Sequence, residues 1–534
     1  MALSRSAPAR WSTRGAVLGA AFCLCAPLLM LALRPGEVAP GLWPHVAGVM
    51  LPRALAQTAA LLLGVGAIAL LLGVGAAWAV TRYDFPGRRA FEWLLALPMA
   101  FPAYVLAYAF VAGLSFTSPL ARAWRDVGLP ATAFPEIRSL PGATLVLGLA
   151  LFPYIYLLMR ASLLRHGSAA FDAARTLGAT PGQAFVRVVL PATTPAWLGG
   201  LGLVLLETLA DFGAVKLLGR DTLTTLIVQA WTGLKSLALA AQLSLAMLGG
   251  VLLVLFLARL TRAGTAPAMP DARAPRRSAL SPRRAWALSL ACAAVVAIGV
   301  GFPLLQLVLW LPPNAFDALP LSAIRGTVLI AGATALAAVA LGTLFAAARR
   351  RHPNDPWIAG SAFAAGLGYA VPGAVMAIAV FWSLLGVERA LAPAFAAFDL
   401  PPGGLSTGLF ALVLALLMRF QRVGLSGAAA ALAVLRPNLL DSAALLGHGR
   451  AARWWRIGLP VLRPGLLAAA LLVFVEAMKE LPATLMLRPF GWDTLAVEVY
   501  TATSEGLWAQ AALPALLLVA VGLVPVALLM RERR

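Results

Sequence analysis

The chain of 534 residues is 61% hydrophobic and only 12% charged, and its mean hydropathy is +0.87. This composition excludes a soluble globular protein and indicates a membrane protein with many spans. The formal net charge of +21 is also typical of nucleic-acid-binding proteins, so the placement of the basic residues decides its meaning.

Apolar segments long enough to cross a bilayer, about 20 residues each, recur along the whole chain. We therefore expect an all-α polytopic membrane protein with twelve transmembrane helices, six in each half. The predicted spans are residues 15–34, 55–80, 91–114, 142–162, 196–217, 238–260, 285–311, 324–348, 358–385, 405–420, 463–486 and 508–530. The first span resembles a signal peptide, but no small-x-small cleavage site follows it, and we interpret it as a retained anchor.

The basic residues are distributed unevenly between the two sides of the membrane. With a cytoplasmic N-terminus, the cytoplasmic segments hold 30 Lys and Arg residues and the opposite side holds 11, with Lys479 inside a span. This bias follows the positive-inside rule and predicts that both termini are cytoplasmic. It accounts for the net charge without a nucleic-acid partner.

Cysteine and histidine give no metal-binding pattern. Cys23, Cys25 and Cys292 fall within predicted spans, where we interpret them as small packing residues. The four histidines are scattered over loops on both sides without ligand spacing, so no fixed metal site is expected.

One polar motif occurs twice, 269 residues apart, in segments too polar to lie in the membrane. Each copy has an acidic residue, small residues, a glycine six positions on and a Leu-Pro after it. The residues of these two loops are Asp172, Ala173, Ala174, Gly178 and Pro191 in the first copy and Asp441, Ala443, Ala444, Gly447 and Pro460 in the second. Thr58 with Thr327 and Gly73 with Gly342 repeat at the same offset, which indicates two similar halves.

The repeat predicts two modules joined by a linker. Residues 1–262 form the first transmembrane module, the Pro/Ala/Arg-rich residues 263–284 form a cytoplasmic linker, and residues 285–534 form the second module. Because each half has an even number of spans, both enter the membrane in the same orientation, related by an axis along the membrane normal. A transport pathway between the halves is expected.

The repeated loop predicts a short helix on the cytoplasmic face. Glycine accepts the left-handed conformation that ends a helix, and a proline can begin the next one because its missing N–H is not needed there. Such a helix presents its surface to a partner, and the segment Arg453-Trp-Trp-Arg456 suits a protein interface.

The duplicated loop resembles the EAA loop of type I ABC importer permeases, and the whole chain resembles the fused, two-module ferric-iron permeases. The segments that carry the closer resemblance are Glu207-Thr-Leu-Ala-Asp211-Phe-Gly213, Thr222-Leu-Thr-Thr225, Ala230-Trp231, Met478-Lys-Glu-Leu-Pro-Ala-Thr484, Leu487-Arg-Pro489 and Asp493-Thr-Leu-Ala496. Two features depart from the pattern: Asp172 and Asp441 stand where a glutamate is usual, and Ser442 stands where alanine is commonest.

The resemblance implies the type I ABC importer permease fold in a bacterial plasma (inner) membrane. It implies that each loop is a coupling helix docking on one of two copies of an ATP-binding subunit, and that an extracytoplasmic substrate-binding protein delivers the cargo. ATP would then be hydrolysed by the partners. In agreement, none of the lysines, Lys216, Lys235 and Lys479, follows a glycine as a phosphate-binding loop requires. We expect no ATPase site and no bound cofactor in this chain.

A proline recurs in the third span of each half, Pro102 and Pro372. Proline removes one helical hydrogen bond, so each span is expected to bend there. The sequence leaves open whether the bends serve packing or act as hinges.

Acidic side chains also occur inside predicted spans, where an ionised group costs at least about 2.5 kcal/mol and needs a partner or water. Glu207, Asp211, Glu476 and Glu480 are the candidates for a translocation path, and Lys479 lies among them. Since Glu476, Lys479 and Glu480 can share one helical face, an internal salt bridge competes with a polar lining for a cation pathway.

Two functional hypotheses remain. The first is a permease of an ATP-driven, binding-protein-dependent importer, with ferric iron as the expected cargo and thiamine, sulfate, polyamine or phosphonate as alternatives. The second is a twelve-span secondary carrier driven by an ion gradient. The duplicated loop favours the first, because a secondary carrier has no ATPase subunit to engage.

Overall fold

The structure is a computed structural model that describes residues 7–33, 36–166, 169–262, 277–317, 319–397, 404–435, 439, 442, 445–447 and 449–531. These residues are mainly helical, as expected where lipid offers no hydrogen-bond partner to the backbone. The α-helices are α1 (Ala7–Leu33), α2 (Leu42–His45), α3 (Leu51–Arg82), α4 (Arg88–Leu94), α5 (Ala103–Gly113), α6 (Pro119–Asp126), α7 (Leu140–His166), α8 (Ala169–Thr176), α9 (Pro181–Ala184), α10 (Leu190–Ala192), α11 (Thr194–Ala210), α12 (Gly213–Leu217), α13 (Leu223–Thr232), α14 (Leu237–Arg262), α15 (Pro282–Val296), α16 (Phe302–Leu309), α17 (Leu321–Arg351), α18 (Pro356–Ala365), α19 (Gly373–Ala397), α20 (Leu409–Val434), α21 (Arg450–Arg453), α22 (Leu459–Lys479), α23 (Pro482–Leu487), α24 (Leu495–Ser504) and α25 (Trp508–Arg531).

Short elements of other types connect these helices. Two strands, β1 (Tyr83–Asp84) and β2 (Ser278–Ala279), pair in parallel with Tyr83 opposite Ser278. The 3₁₀ turns are Leu97–Ala100, Ala131–Ala133 and Leu367–Ala370, and the π-helical turns are Val46–Met50, Phe185–Val189, Ala297–Gly301 and Trp454–Gly458.

Each π-helical turn lies directly before a residue followed by proline, at Pro52, Pro191, Pro303 and Pro460. A proline inside a helix has no N–H to donate and its ring crowds the carbonyl four residues earlier. One wider turn relieves this crowding without ending the helix.

The prediction of an all-α polytopic fold is confirmed. Among the described residues, ten helices are long and apolar enough to cross a membrane, or up to twelve if each of two bent pairs is one span. The bent pairs are Arg88–Ala100 with Ala103–Gly113, at 93°, and Pro181–Ala192 with Thr194–Ala210, at 72°.

Three predicted span boundaries are wrong. The span predicted at 405–420 is α20, which runs on to Val434. Those predicted at 196–217 and 463–486 end at Ala210 and Lys479, and each is followed by a separate short helix. A hydropathy window detects apolar composition, which continues through these breaks, and does not detect the change in backbone direction.

The proline repeat in the third spans interrupts the helix instead of only bending it. Pro102 is in an extended conformation, with φ −58° and ψ 139°, and α5 begins at the next residue. In the second half, Val371 is extended at φ −88° and ψ 128°, and α19 begins just after Pro372.

Matched residues make the same contacts in the two halves. Oγ1 of Thr58 accepts a hydrogen bond from the N–H of Leu223 at 3.0 Å, and Oγ1 of Thr327 accepts one from the N–H of Leu495 at 2.9 Å. Gly73 lies against Ile155 of α7, and Gly342 lies against the backbone of Gly424 in α20, so a Cβ at either glycine would overlap its neighbour. Small residues allow this close helix approach in membranes, and the contacts support the internal repeat.

The chain forms two compact units that do not follow the sequence halves. One unit comprises Met1–Ala39, Ile227–Leu245 and Pro320–Glu498, and the other comprises Pro40–Leu226, Ala246–Leu319 and Val499–Arg534. The first helix of each half therefore belongs to the unit built mainly from the other half. The division at the linker stays a prediction about the sequence, and residues 263–276 lie outside the described residues.

Both exchanged helices contact the turn that precedes the third span. In the first unit, Nε of Arg14 on α1 lies 2.6 Å from Oδ2 of Asp355, the residue that caps α18. In the second unit, Oγ of Ser289 on α15 donates to the carbonyl of Pro86 at 2.8 Å. Asp355 and Pro86 are 269 residues apart, so the two contacts occupy equivalent turns.

Candidate coupling loops and intramembrane acids

The first repeated loop forms the short helix that the sequence predicts. The helix α8 ends in a turn at Gly178, whose φ is +89°, and the N–H of Ala179 donates to the carbonyl of Ala174 at 3.1 Å. The left-handed glycine is as predicted, and a residue with a Cβ would be strained there. Pro191 is the second residue of α10.

The second loop has the same turn where it is described. Gly447 has a φ of +81°, and the N–H of Leu446 donates to the carbonyl of Ser442 at 3.1 Å. Pro460 is the second residue of α22. The predicted loop residues Asp441, Ala443 and Ala444 lie outside the described residues.

An exposed leucine precedes each of these glycines, which the sequence analysis did not single out. Leu177 is 88% exposed and Leu446 is 78% exposed, and they are 269 residues apart. The exposed leucine thus occupies the same position in both turns. The shared offset was the signal available in the sequence. Trp455, in the Arg/Trp segment of the second loop, is exposed as well.

Asp172 points back towards the membrane helices. Its Oδ1 lies 3.3 Å from Nη2 of Arg82, the last residue of α3. Asp172 stands in the first turn of α8, where a carboxylate is favourable beside the unpaired N–H groups.

The matched acids Asp211 and Glu480 both lie directly after a helix, at the start of the next short one. Oδ1 of Asp211 accepts from the N–H of Val215 at 3.0 Å. Oε2 of Glu480 accepts from the N–H of Ala483 and of Thr484, each at 3.1 Å. Each carboxylate thus satisfies free N–H groups at the N-terminus of α12 or α23.

The predicted common helical face of Glu476, Lys479 and Glu480 is wrong. The helix α22 ends at Lys479, and Glu480 is extended, with φ −71° and ψ 120°. Pro482 cannot donate to the carbonyl four residues earlier and would crowd it, so the helix ends, and the Glu480 carboxylate caps the next one. Glu476 remains within α22, as Glu207 does within α11.

Arg419 lies near Glu480, a proximity that the sequence analysis did not predict. It lies inside α20, within the span predicted at 405–420. Both side chains surround Gly373, where a Cβ would overlap Oε1 of Glu480 and lie 3.1 Å from Nη1 of Arg419. Its match in the first half is the apolar Ala150, so this charge is not repeated.

The described residues contain no group of three or more His, Cys, Asp or Glu side chains able to hold a metal ion. Asp211 and Glu480 are instead engaged with backbone donors of their own segments. The geometry therefore assigns both acids a capping contact, whatever further part they take in transport.

Comparison with known proteins finds a family match over part of the chain. Residues 69–265 match the family described as the binding-protein-dependent transport system inner membrane component. The match covers less than half of the chain. The matched residues include the whole first repeated loop and Asp211. The match and the membrane-spanning helices together support a multi-pass inner-membrane protein.

Individual relatives differ in how much of the permease they match. The Fe(3+)-transport system permease protein FbpB 2 of Haemophilus influenzae is 27% identical over 522 residues, which cover 95% of each chain. The sulfate transport system permease protein CysT of Escherichia coli is 33% identical over 140 residues, 26% of this chain and 48% of the relative. CysW of the same organism is 34% identical over 140 residues, 26% of this chain and 46% of the relative.

Proposed function

We propose that this chain is the transmembrane permease of an ATP-driven, binding-protein-dependent importer of ferric iron. The observation that carries the proposal is the duplicated turn, in which an exposed leucine precedes a left-handed glycine at Leu177-Gly178 and again at Leu446-Gly447. Two equivalent exposed leucine side chains on polar loops suit binding to two copies of one partner. We assign that partner as an ABC ATP-binding subunit, with one copy on each loop.

The remaining parts of the importer follow from the same proposal. An extracytoplasmic substrate-binding protein delivers the cargo, both termini of the permease are cytoplasmic, and ATP is hydrolysed by the partners and not by this chain. The absence of a Gly-Lys-Ser/Thr sequence supports the assignment of ATP hydrolysis to the partner subunits. A secondary carrier would have no use for paired docking turns.

Ferric iron is favoured as the cargo by the length over which the iron permease matches. The match runs through 95% of both chains, and so includes the second module, whereas the two sulfate permeases match about a quarter of this chain. Sulfate is the competing cargo, since identity over the 140 residues matched by each sulfate permease, 33% and 34%, is higher than the 27% over the whole iron-permease match. The two cargoes have opposite charge, so they make opposite demands on the pathway.

We propose that Glu207, Asp211, Glu476 and Glu480 belong to the translocation path. The capped carboxylates of Asp211 and Glu480 fix the breaks after α11 and α22, and they supply negative charge there without forming a closed metal site. A cation would meet oxygen ligands in low number and would be released readily.

The cargo is tested by uptake of radiolabelled ferric iron into cells with and without this chain, beside uptake of radiolabelled sulfate. Iron uptake that depends on the chain, with sulfate uptake unchanged, supports the proposal. Chain-dependent sulfate uptake without iron uptake would contradict it.

A further inference from the structure

Two side chains at the end of α3 hold the first coupling loop. The guanidinium of Arg82 lies 4.2 Å from the centroid of the Phe171 ring, and its Nη2 lies 3.3 Å from Oδ1 of Asp172. The Trp78 ring lies 5.4 Å from the ring of Phe171 and 4.8 Å from that of Phe185. Trp78 and Arg82 are four residues apart and so share one face of α3. We call Trp78, Arg82, Phe171 and Asp172 the clasp.

The clasp determines where α8 lies. A helix of eight residues is too short to be stable alone, so tertiary contacts must hold it. Phe171 is buried, and it is covered by Trp78 on one side and by the Arg82 guanidinium on another. The planar guanidinium makes both contacts at once, stacking on the ring and pairing with the carboxylate, which an ammonium group cannot do.

The other end of α3 touches the segment that follows the Asp211 break. Oε1 of Gln57 accepts from the N–H of Asp221 at 2.9 Å, and Oγ1 of Thr58 accepts from the N–H of Leu223 at 3.0 Å. Along a straight helix Thr58 and Arg82 are roughly 36 Å apart. A single helix therefore joins the coupling loop to the intramembrane acid segment.

We propose that Arg82 is a positioning residue for coupling, which fixes α8 to α3 so that movement of a docked ATPase subunit is passed to α3. The inference rests on the proposed function. The partly exposed ion pair adds little to folding, so loss of Arg82 should affect the transmission of movement more than assembly.

The test compares Arg82→Gln and Arg82→Lys with Arg89→Gln in the complete complex, reconstituted in proteoliposomes. Arg89 is an exposed arginine on the neighbouring helix α4 and serves as the matched control. Arg82→Gln should keep the ATP-binding subunit and its ATP hydrolysis, while the iron transported per ATP falls roughly fivefold or more. Arg82→Lys should be intermediate, because it keeps the charge and loses the stacking, and Arg89→Gln should match the wild type.

A second measurement does not depend on transport. In the full chain, amide hydrogen exchange of residues 171–176 should become several-fold faster in Arg82→Gln and stay unchanged in Arg89→Gln. Unchanged exchange in Arg82→Gln would overturn the inference, as would unchanged iron per ATP or loss of the complex in both Arg82 variants. If the wild type lacked ATP-driven uptake, the proposed function would fail, and faster exchange in Arg82→Gln would still support the clasp.

Discussion

Thr58 on α3 accepts a hydrogen bond from the N–H of Leu223, and this contact between residues 165 positions apart ties a transmembrane helix to the chain beyond the Asp211 break. The hydroxyl also donates to the carbonyl of Ala54 at 2.7 Å, so it both donates and accepts a hydrogen bond. Thr327 and Leu495 repeat the arrangement in the other half. A contact preserved through the duplication of the chain joins the same two parts of each module.

Thr58→Val should destabilise the protein by about 1–3 kcal/mol, because it leaves the buried N–H of Leu223 without its acceptor while keeping the side-chain shape. Thr327→Val should have a similar effect through Leu495. The measurement is thermal unfolding in detergent. Thr343→Val is the control, since that hydroxyl donates to the carbonyl of Val339 in its own helix, and it should change little. Equal effects of all three variants would contradict the assigned role.

Gly178→Glu or Gly447→Glu should uncouple transport from ATP hydrolysis while the membrane helices remain folded. Each substitution places a Cβ on a left-handed residue, at a cost of about 1–2 kcal/mol, and a charge beside the exposed leucine. Gly128→Glu is the matched control, because Gly128 has a φ of +81° in a loop predicted on the opposite side. Iron transported per ATP should fall in the first two variants only. Full coupling in the Gly178→Glu, Gly447→Glu double variant would exclude these turns as docking sites.

Leu177→Asp and Leu446→Asp should each weaken binding of the ATP-binding subunit by about 1 kcal/mol or more, roughly fivefold in affinity. An exposed leucine makes few contacts within the chain, so its substitution should have little effect on folding and should weaken only the binding of a partner. Val127→Asp, equally exposed in the predicted extracytoplasmic loop, is the control. Binding is measured on the detergent-solubilised chain with purified subunit. If the control weakened binding as much as the two loop variants, the effect would not come from the docking turns.

Asp211→Asn and Glu480→Gln separate the charge of these acids from their capping contacts. An amide oxygen can still accept from the backbone N–H groups of α12 or α23, while the negative charge is removed. We expect iron uptake, normalised to recovered complex, to fall sharply in the double variant. Glu480→Gln should also lower recovery more than Asp211→Asn, because it removes the carboxylate that lies beside Arg419 at Gly373. Normal uptake in the double variant would show that the two negative charges are not needed for transport and that both residues are only structural.

Much of the fold could be predicted because it follows from local composition. Apolar segments predicted the spans, and the repeated glycines predicted the left-handed turns at Gly178 and Gly447. The breaks after Ala210 and Lys479 were missed, because a carboxylate that caps the following helix looks, in a hydropathy window, like a charge inside a span.

Contacts between distant segments could not be read from the sequence. Arg82 and Asp172 are 90 residues apart, and each is ordinary in its own surroundings. Arg419 lies within the span predicted at 405–420, but nothing in the sequence places it beside Glu480, 61 residues later. The first helix of each half joins the unit built mainly from the other half. Local composition does not predict this exchange, because it is determined by packing between distant segments.

The energy source is the most direct test of an ATP-driven permease. Radiolabelled ferric iron uptake is measured in cells that carry this chain and its partners, under ATP depletion with the membrane potential held, and under a protonophore with ATP maintained. We expect uptake to stop in the first condition and to persist in the second, since the duplicated turns engage ATPase subunits. Uptake that persists without ATP and stops with the protonophore would contradict the proposal and identify an ion-driven carrier.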